Sequence, residues 1–241
     1  MIELLRNMIT EEIVRGRKLE GHTTRISREL IKAIKDEDLQ ETFNTNGRVQ
    51  FLLDVPEVTD AIDYLRSIIV SIKEENRYEV IGQYEFDLAD TIEDTDKLRQ
   101  NSDLQILISL PKNYQEDYSF LTDFIAEAKD TIRHELEHSG QSTEELMQVQ
   151  KSVPDRNIWQ SIETAEAYYM SPAEIKAHVA GAYMKAKKLK QPASDVMKLL
   201  LYAIYATGQA YGHSEEELSP LMRKLSNEYA TYLFSRYKEA Q

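Results

Sequence analysis

The sequence contains no cysteine. Disulfides, cysteine-ligated zinc and thiol nucleophiles are therefore excluded, and the composition fits a reducing compartment. The amino terminus shows no basic segment followed by an uninterrupted apolar run, which is what a secretory signal would need. The chain thus reads as mature from Met1, and a cytoplasmic protein is expected. No stretch approaches the roughly 20 apolar residues that span a membrane, so no membrane partner is expected. There is no internal repeat and no low-complexity segment.

Positive charge is also scarce. Against 42 acidic residues stand 29 lysines and arginines, a formal net charge of -13 with a pI near 4.9. Sequence-independent binding to nucleic acid needs cations to displace counterions, so this balance argues against a nucleic-acid partner. The one basic cluster, Lys185, Lys187, Lys188 and Lys190, reads as the cationic last turn of a helix, which the helix dipole favours. With 41% apolar and 29% charged residues in 241, the chain is long enough for one large domain or one domain with an appendage.

Along the chain, residues 2–42 are expected to be helical, divided into two helices near Gly16, Gly21 and the Thr23–Thr24 pair. Residues 44–47 (Asn-Thr-Asn-Gly) signal a turn. Residues 48–53 read as a strand, 57–74 as a helix with Val58, Ala61, Ile62, Leu65, Ile68, Ile69 and Ile72 on one face, and 77–87 as a strand. Residues 104–110 form the clearest strand of the chain, rich in β-branched residues and ending at Pro111. Helices are expected over 117–141, 155–169, 172–190, 193–211 and 215–238. The outline is an α+β fold, a small sheet followed by a mainly helical half.

Within the first of these later helices stands His134-Glu135-Leu136-Glu137-His138. Residues four apart on a helix share a face, so His134 and His138 can present two imidazoles to one metal ion. Glu135, one position on, can reach a metal-bound water without itself being a ligand. The apolar stripe Leu121, Phe124, Ile125, Ala128, Ile132 and Leu136 lies elsewhere on the helix, so these histidines are not ordinary core residues. The competing reading is a chance match on a solvated face.

A catalytic zinc takes three protein ligands and keeps one position open. The elongated pattern with a third histidine three residues beyond a glycine is absent, because position 141 is Gln. A glutamate from a later helix is the other solution. Glu174, in Ser171-Pro-Ala-Glu-Ile-Lys-Ala-His178, is the leading candidate. It also fits a capping box with Ser171, a role that needs no metal. Glu163 and Glu166 are alternatives. His178, one turn after Glu174, could be a donor to the transition state or a further ligand. Tyr168 and Tyr169 are candidates to stabilise an oxyanion. For His22 and His213 an ordinary structural role is expected.

These residues resemble the zincin metallopeptidases, specifically the gluzincin-like branch with two histidines and a distant glutamate. The match covers about residues 104–190. A weaker likeness is to small zincin-like proteins of phage and bacterial genomes. The resemblance implies Zn2+ held by His134, His138 and Glu174, with Glu135 as general base and His178 and Tyr169 as further catalytic residues. It implies a peptide or protein substrate, held along a strand edge beside the active-site helix, and residues 104–110 would be that strand. In larger members the residue four after the ligand glutamate is acidic, whereas in this chain it is His178. The implied organisation is a helical region over 1–45 and a zincin-like metallopeptidase domain over 46–241. A non-catalytic zincin-like binding protein and a metal-dependent hydrolase of a non-peptide amide remain as alternatives.

Overall fold

The structure, a computed structural model, describes residues 2–62, 65–85, 102–153 and 157–237. The chain divides into two compact units, Met1–Ser139 and Gly140–Gln241. The fold is α+β, with a small mixed sheet in the first unit and a second unit made of helices.

The first unit opens with α1 (Ile2–Ile34) and α2 (Glu37–Asn46). The expected break near Gly16 and Gly21 does not occur. A glycine inside a helix costs only about 1 kcal/mol, and the Thr23 hydroxyl bonds back to the Leu19 carbonyl at 2.8 Å without interrupting the ladder. The break falls instead at Asp36, whose carboxylate caps α2 by accepting from the Leu39 amide, and α2 ends at Gly47 in the left-handed region at φ 66°. Leu19, Ile26, Leu30, Ile34 and Phe43 join the core formed by the sheet, so these helices are part of the unit.

The sheet holds β1 (Arg48–Leu52), β2 (Leu65–Glu74), β3 (Glu79–Glu85) and β4 (Ser102–Leu110) in the order β1-β2-β4-β3. The helix expected over 57–74 is corrected. A single turn, α3 (Pro56–Thr59), is followed by strand β2. The run Ile68-Ile69-Val70 is β-branched, and Ile68, Val70 and Ile72 are buried in alternation. A continuous apolar run of this kind fits a buried strand as well as a helix, and period two decides it. β2 pairs parallel with β4, and β4 pairs antiparallel with β3. β4 therefore lies inside the sheet, between β2 and β3. The expectation that residues 104–110 offer an open edge is corrected: both edges of that strand are taken, and β1 and β3 are the outer strands.

Helix α4 (Leu121–His138) packs on β3 and on α1. Its stripe of Phe124, Ala128, Ile132 and Leu136 enters the core. Its start is held by aromatic contacts, with Tyr78 stacked on Phe120 at 4.0 Å and Phe120 edge-on to Phe124 at 5.8 Å.

The second unit contains α5 (Thr143–Ser152), α6 (Ile162–Tyr169), α7 (Pro172–Leu189), α8 (Ala193–Ala210) and α9 (Glu215–Arg236). The last three match the expected helices within two residues at each end. The helix expected over 155–169 is shorter, a 3-10 turn at Ile158–Gln160 followed by α6. The core of this unit joins Trp159, Ile175, Val179, Ala182, Val196, Leu218, Leu221, Leu225 and Tyr229. Among the described residues no helix is long and apolar enough to cross a membrane.

Candidate metal centre

The last turns of α4 are buried although they carry charge. Arg133, Glu135, Glu137 and His138 are 1%, 8%, 2% and 8% exposed. Buried ionisable groups are costly unless paired, so each must have a partner or a task. Arg133 and Glu137, one turn apart, form a buried ion pair. Arg15 of α1 donates to the Glu137 carbonyl at 3.2 Å and ties α1 to this turn.

His134 and His138 stand with their Nε2 atoms 3.2 Å apart and their rings inclined at 76°. Two imidazoles thus offer the same ring nitrogen to one point.

Glu135 points to the sheet. Its Oε2 accepts the Tyr84 amide at 2.9 Å. Four residues earlier, Thr131 Oγ1 donates to the Val80 carbonyl at 3.3 Å. In an antiparallel edge strand, alternate residues turn both main-chain groups outward. These two bonds show that α4 covers the main-chain groups that Val80 and Tyr84 turn away from β4. The closeness of helix and strand depends on Gly82. A Cβ there would lie 2.6 Å from both Glu135 Cγ and Thr131 Cγ2.

In the second unit, Ser171 caps α7 by accepting from the Glu174 amide at 3.2 Å, and Pro172 fills the first turn. The Ser171 amide donates to the Tyr168 carbonyl at 3.0 Å. Reciprocal capping boxes are made by Ser214 with Glu217 and by Ser142 with Glu145. Glu174 is 3% exposed, and its Oε2 lies 3.7 Å from His178 Nε2.

His178 stands near two tyrosine rings, Tyr169 at 5.7 Å and Tyr229 at 5.9 Å between centroids. Tyr229, on α9, is wholly buried and donates to the Tyr169 carbonyl at 3.2 Å. Burial pushes the Tyr169 hydroxyl up to about 12, with a hydrogen bond from Trp159 opposing and the Glu174 charge adding to the rise. Burial raises Tyr229 further, with Glu174 and Tyr169 acting in the same direction. Both phenols are therefore protonated donors at neutral pH.

His134, Glu174 and His178 are side chains that could hold a metal ion. The alternatives for the third ligand are engaged or exposed. Glu166 pairs with Lys224 at 2.5 Å, and Glu163 is exposed. His213 Nε2 lies 3.1 Å from the Trp159 carbonyl, a structural role. Burial lowers the pKa of His22, with Lys18 and Arg25 adding to the effect. Sequence reasoning missed Tyr229, because a tyrosine in the stripe Leu218, Leu221, Leu225, Leu233 carries only the signal of a core residue.

Compared with known proteins, the chain matches no family model, no curated protein and no solved structure.

Proposed function

We propose that the chain is a zinc-dependent metallopeptidase of zincin-like organisation, with His134, His138 and Glu174 as ligands and Glu135 as general base. One observation carries this reading, the 3.2 Å between the Nε2 atoms of His134 and His138. Zinc–imidazole bonds of 2.0–2.1 Å at a tetrahedral angle place two ligand nitrogens about 3.3 Å apart. Two imidazoles and a carboxylate are a donor set that suits zinc. The first turn of α7 adds a favourable field for the Glu174 carboxylate.

Bound zinc would lower the pKa of a water and polarise a carbonyl. Glu135 takes the proton of the attacking water and returns it to the leaving amine. The Tyr84 amide fixes one oxygen of that carboxylate, so the base is oriented before substrate arrives. Tyr169 and His178 are the donors assigned to the developing oxyanion.

The test uses zinc-loaded protein and a mixture of peptides of varied sequence, with products read by mass spectrometry. Wild type should cleave. Glu135→Gln should retain zinc and lose at least about 100-fold in rate, the share expected of a general base. Equal cleavage by the variant would overturn the assignment of Glu135. Bound zinc with no cleavage of any peptide would make the site structural or turn it to another amide.

A further inference from the structure

The two outer strands of the sheet, β1 and β3, are bordered differently. On the outer side of β3, α4 takes up the Tyr84 amide and the Val80 carbonyl. In β1 it is the odd-numbered residues that bond inward to β2. The Gly47 carbonyl accepts from the Glu74 amide at 2.8 Å, and the Leu53 amide donates to the Ile68 carbonyl at 2.9 Å. The alternation of an antiparallel ladder then turns the main-chain groups of Arg48, Gln50 and Leu52 to the open edge. Among the described residues none forms a hydrogen bond to those groups.

An open strand edge is a template for another chain, and proteins guard it with proline, a bulge, inward-pointing charge or a covering element. β1, Arg-Val-Gln-Phe-Leu, has no proline, and its register to β2 is unbroken. Its one charge, Arg48, lies on the exposed face with Gln50 and Leu52, and Leu52 is 69% exposed. Val49 and Phe51, on the other face, pack on the core and are only partly buried. The alternation of exposed and covered side chains runs on through Leu53, exposed Asp54 and buried Val55. Among the described residues neither Arg48 nor Asp54 has an ion-pair partner.

We infer that β1 is a self-association interface, on which β1 of a second copy adds antiparallel across a two-fold axis. Two four-stranded sheets would thus join into one of eight strands. The inference is independent of the peptidase reading. The side chains choose the register. With Phe51 on the axis, Gln50 faces Leu52 of the second copy and Arg48 faces its Asp54. Outward main-chain groups then meet outward main-chain groups, and opposite charges meet twice. The two Phe51 rings meet at a non-hydrogen-bonded position, where strands approach most closely and aromatic pairs stabilise. With Gln50 on the axis instead, Arg48 would face Leu52 and Asp54 would face Asn46, leaving both charges unpaired. The strand is in this way its own complement, which favours a second copy over a foreign strand. A strand pair this short buries less than the roughly 1,600 Å² of a standard interface, so a Kd of about 10–100 μM is expected.

The experiment is sedimentation equilibrium of the full-length protein over a range of concentrations. Wild type should show a monomer–dimer equilibrium. Gln50→Pro removes an amide that β2 does not use, so circular dichroism should be unchanged and the dimer lost. Arg48→Asp and Asp54→Arg, both at exposed positions, should each weaken association about tenfold by setting like charges opposite one another. Combining them should restore it. These two reversals decide the matter if Gln50→Pro fails to fold. Asp54→Arg also reduces the net negative charge, so general repulsion alone would make this variant associate more tightly. Tighter association of that variant overturns the register. Wild type that stays monomeric at every concentration overturns the inference and leaves the edge to a foreign strand. A dimer that Gln50→Pro and both reversals leave unchanged lies elsewhere on the molecule and overturns the assignment to β1.

Discussion

The Tyr84 amide and the Glu135 carboxylate are joined by a 2.9 Å hydrogen bond between strand β3 and helix α4. That bond needs the close approach that Gly82 permits. In Gly82→Ala the new methyl group meets Glu135 Cγ and Thr131 Cγ2, so either strand or carboxylate must move. Overpacking of this kind costs about 1–3 kcal/mol. Denaturant unfolding should show the loss, and peptide turnover should fall more than zinc affinity. Unchanged stability would mean that the strand yields freely and that the contact does not position Glu135.

The buried pair Arg133–Glu137 gives a second prediction. Glu137→Ala leaves a buried guanidinium without its counter-charge and should destabilise the fold by about 3–5 kcal/mol. Replacing both together, Arg133→Met with Glu137→Leu, should recover much of that loss, because the two desolvation costs vanish together. Chemical unfolding of the three proteins checks both statements.

Ligand assignment is tested by two histidines. His138→Ala should lose zinc, as measured by competition with a chromophoric chelator, whereas His178→Ala should keep it and lose turnover. The reverse pattern would make His178 the ligand.

Alkaline pH should unfold the protein through its buried phenols. Tyr169 is raised to about 12, and Tyr229 and Tyr114 are raised as well, all chiefly by burial. Each folded pKa lies above the unfolded value of about 10, so the folded state holds protons that the unfolded state gives up. Their contribution is complete below about pH 10 and declines as pH rises towards 12. Phenolate absorbance and circular dichroism, followed together through that range, should change in concert. Full ionisation of all tyrosines in a folded protein would contradict this.

The helix carrying His134, Glu135 and His138 was legible because three signals agree there: apolar period, residue spacing and a strand before it. α7, α8 and α9 were legible from their stripes and caps. β2 was not, because its run Ile68-Ile69-Val70 is continuous and helical and extended readings share the same residues. The place of β4 inside the sheet was hidden too. Strand order depends on pairing across the chain, and nothing in Ser102–Leu110 states that β3 will border it. The bond from Tyr84 to Glu135 joins residues 51 apart in sequence and lay beyond any local pattern.

The most direct test of the central claim is the metal content of the purified chain, by elemental analysis, for wild type and His134→Ala. The account predicts stoichiometric zinc in wild type and its loss in the variant, with the fold retained by circular dichroism. Wild-type protein that stays free of metal after zinc is supplied, or a variant that binds zinc as well as wild type, would contradict it.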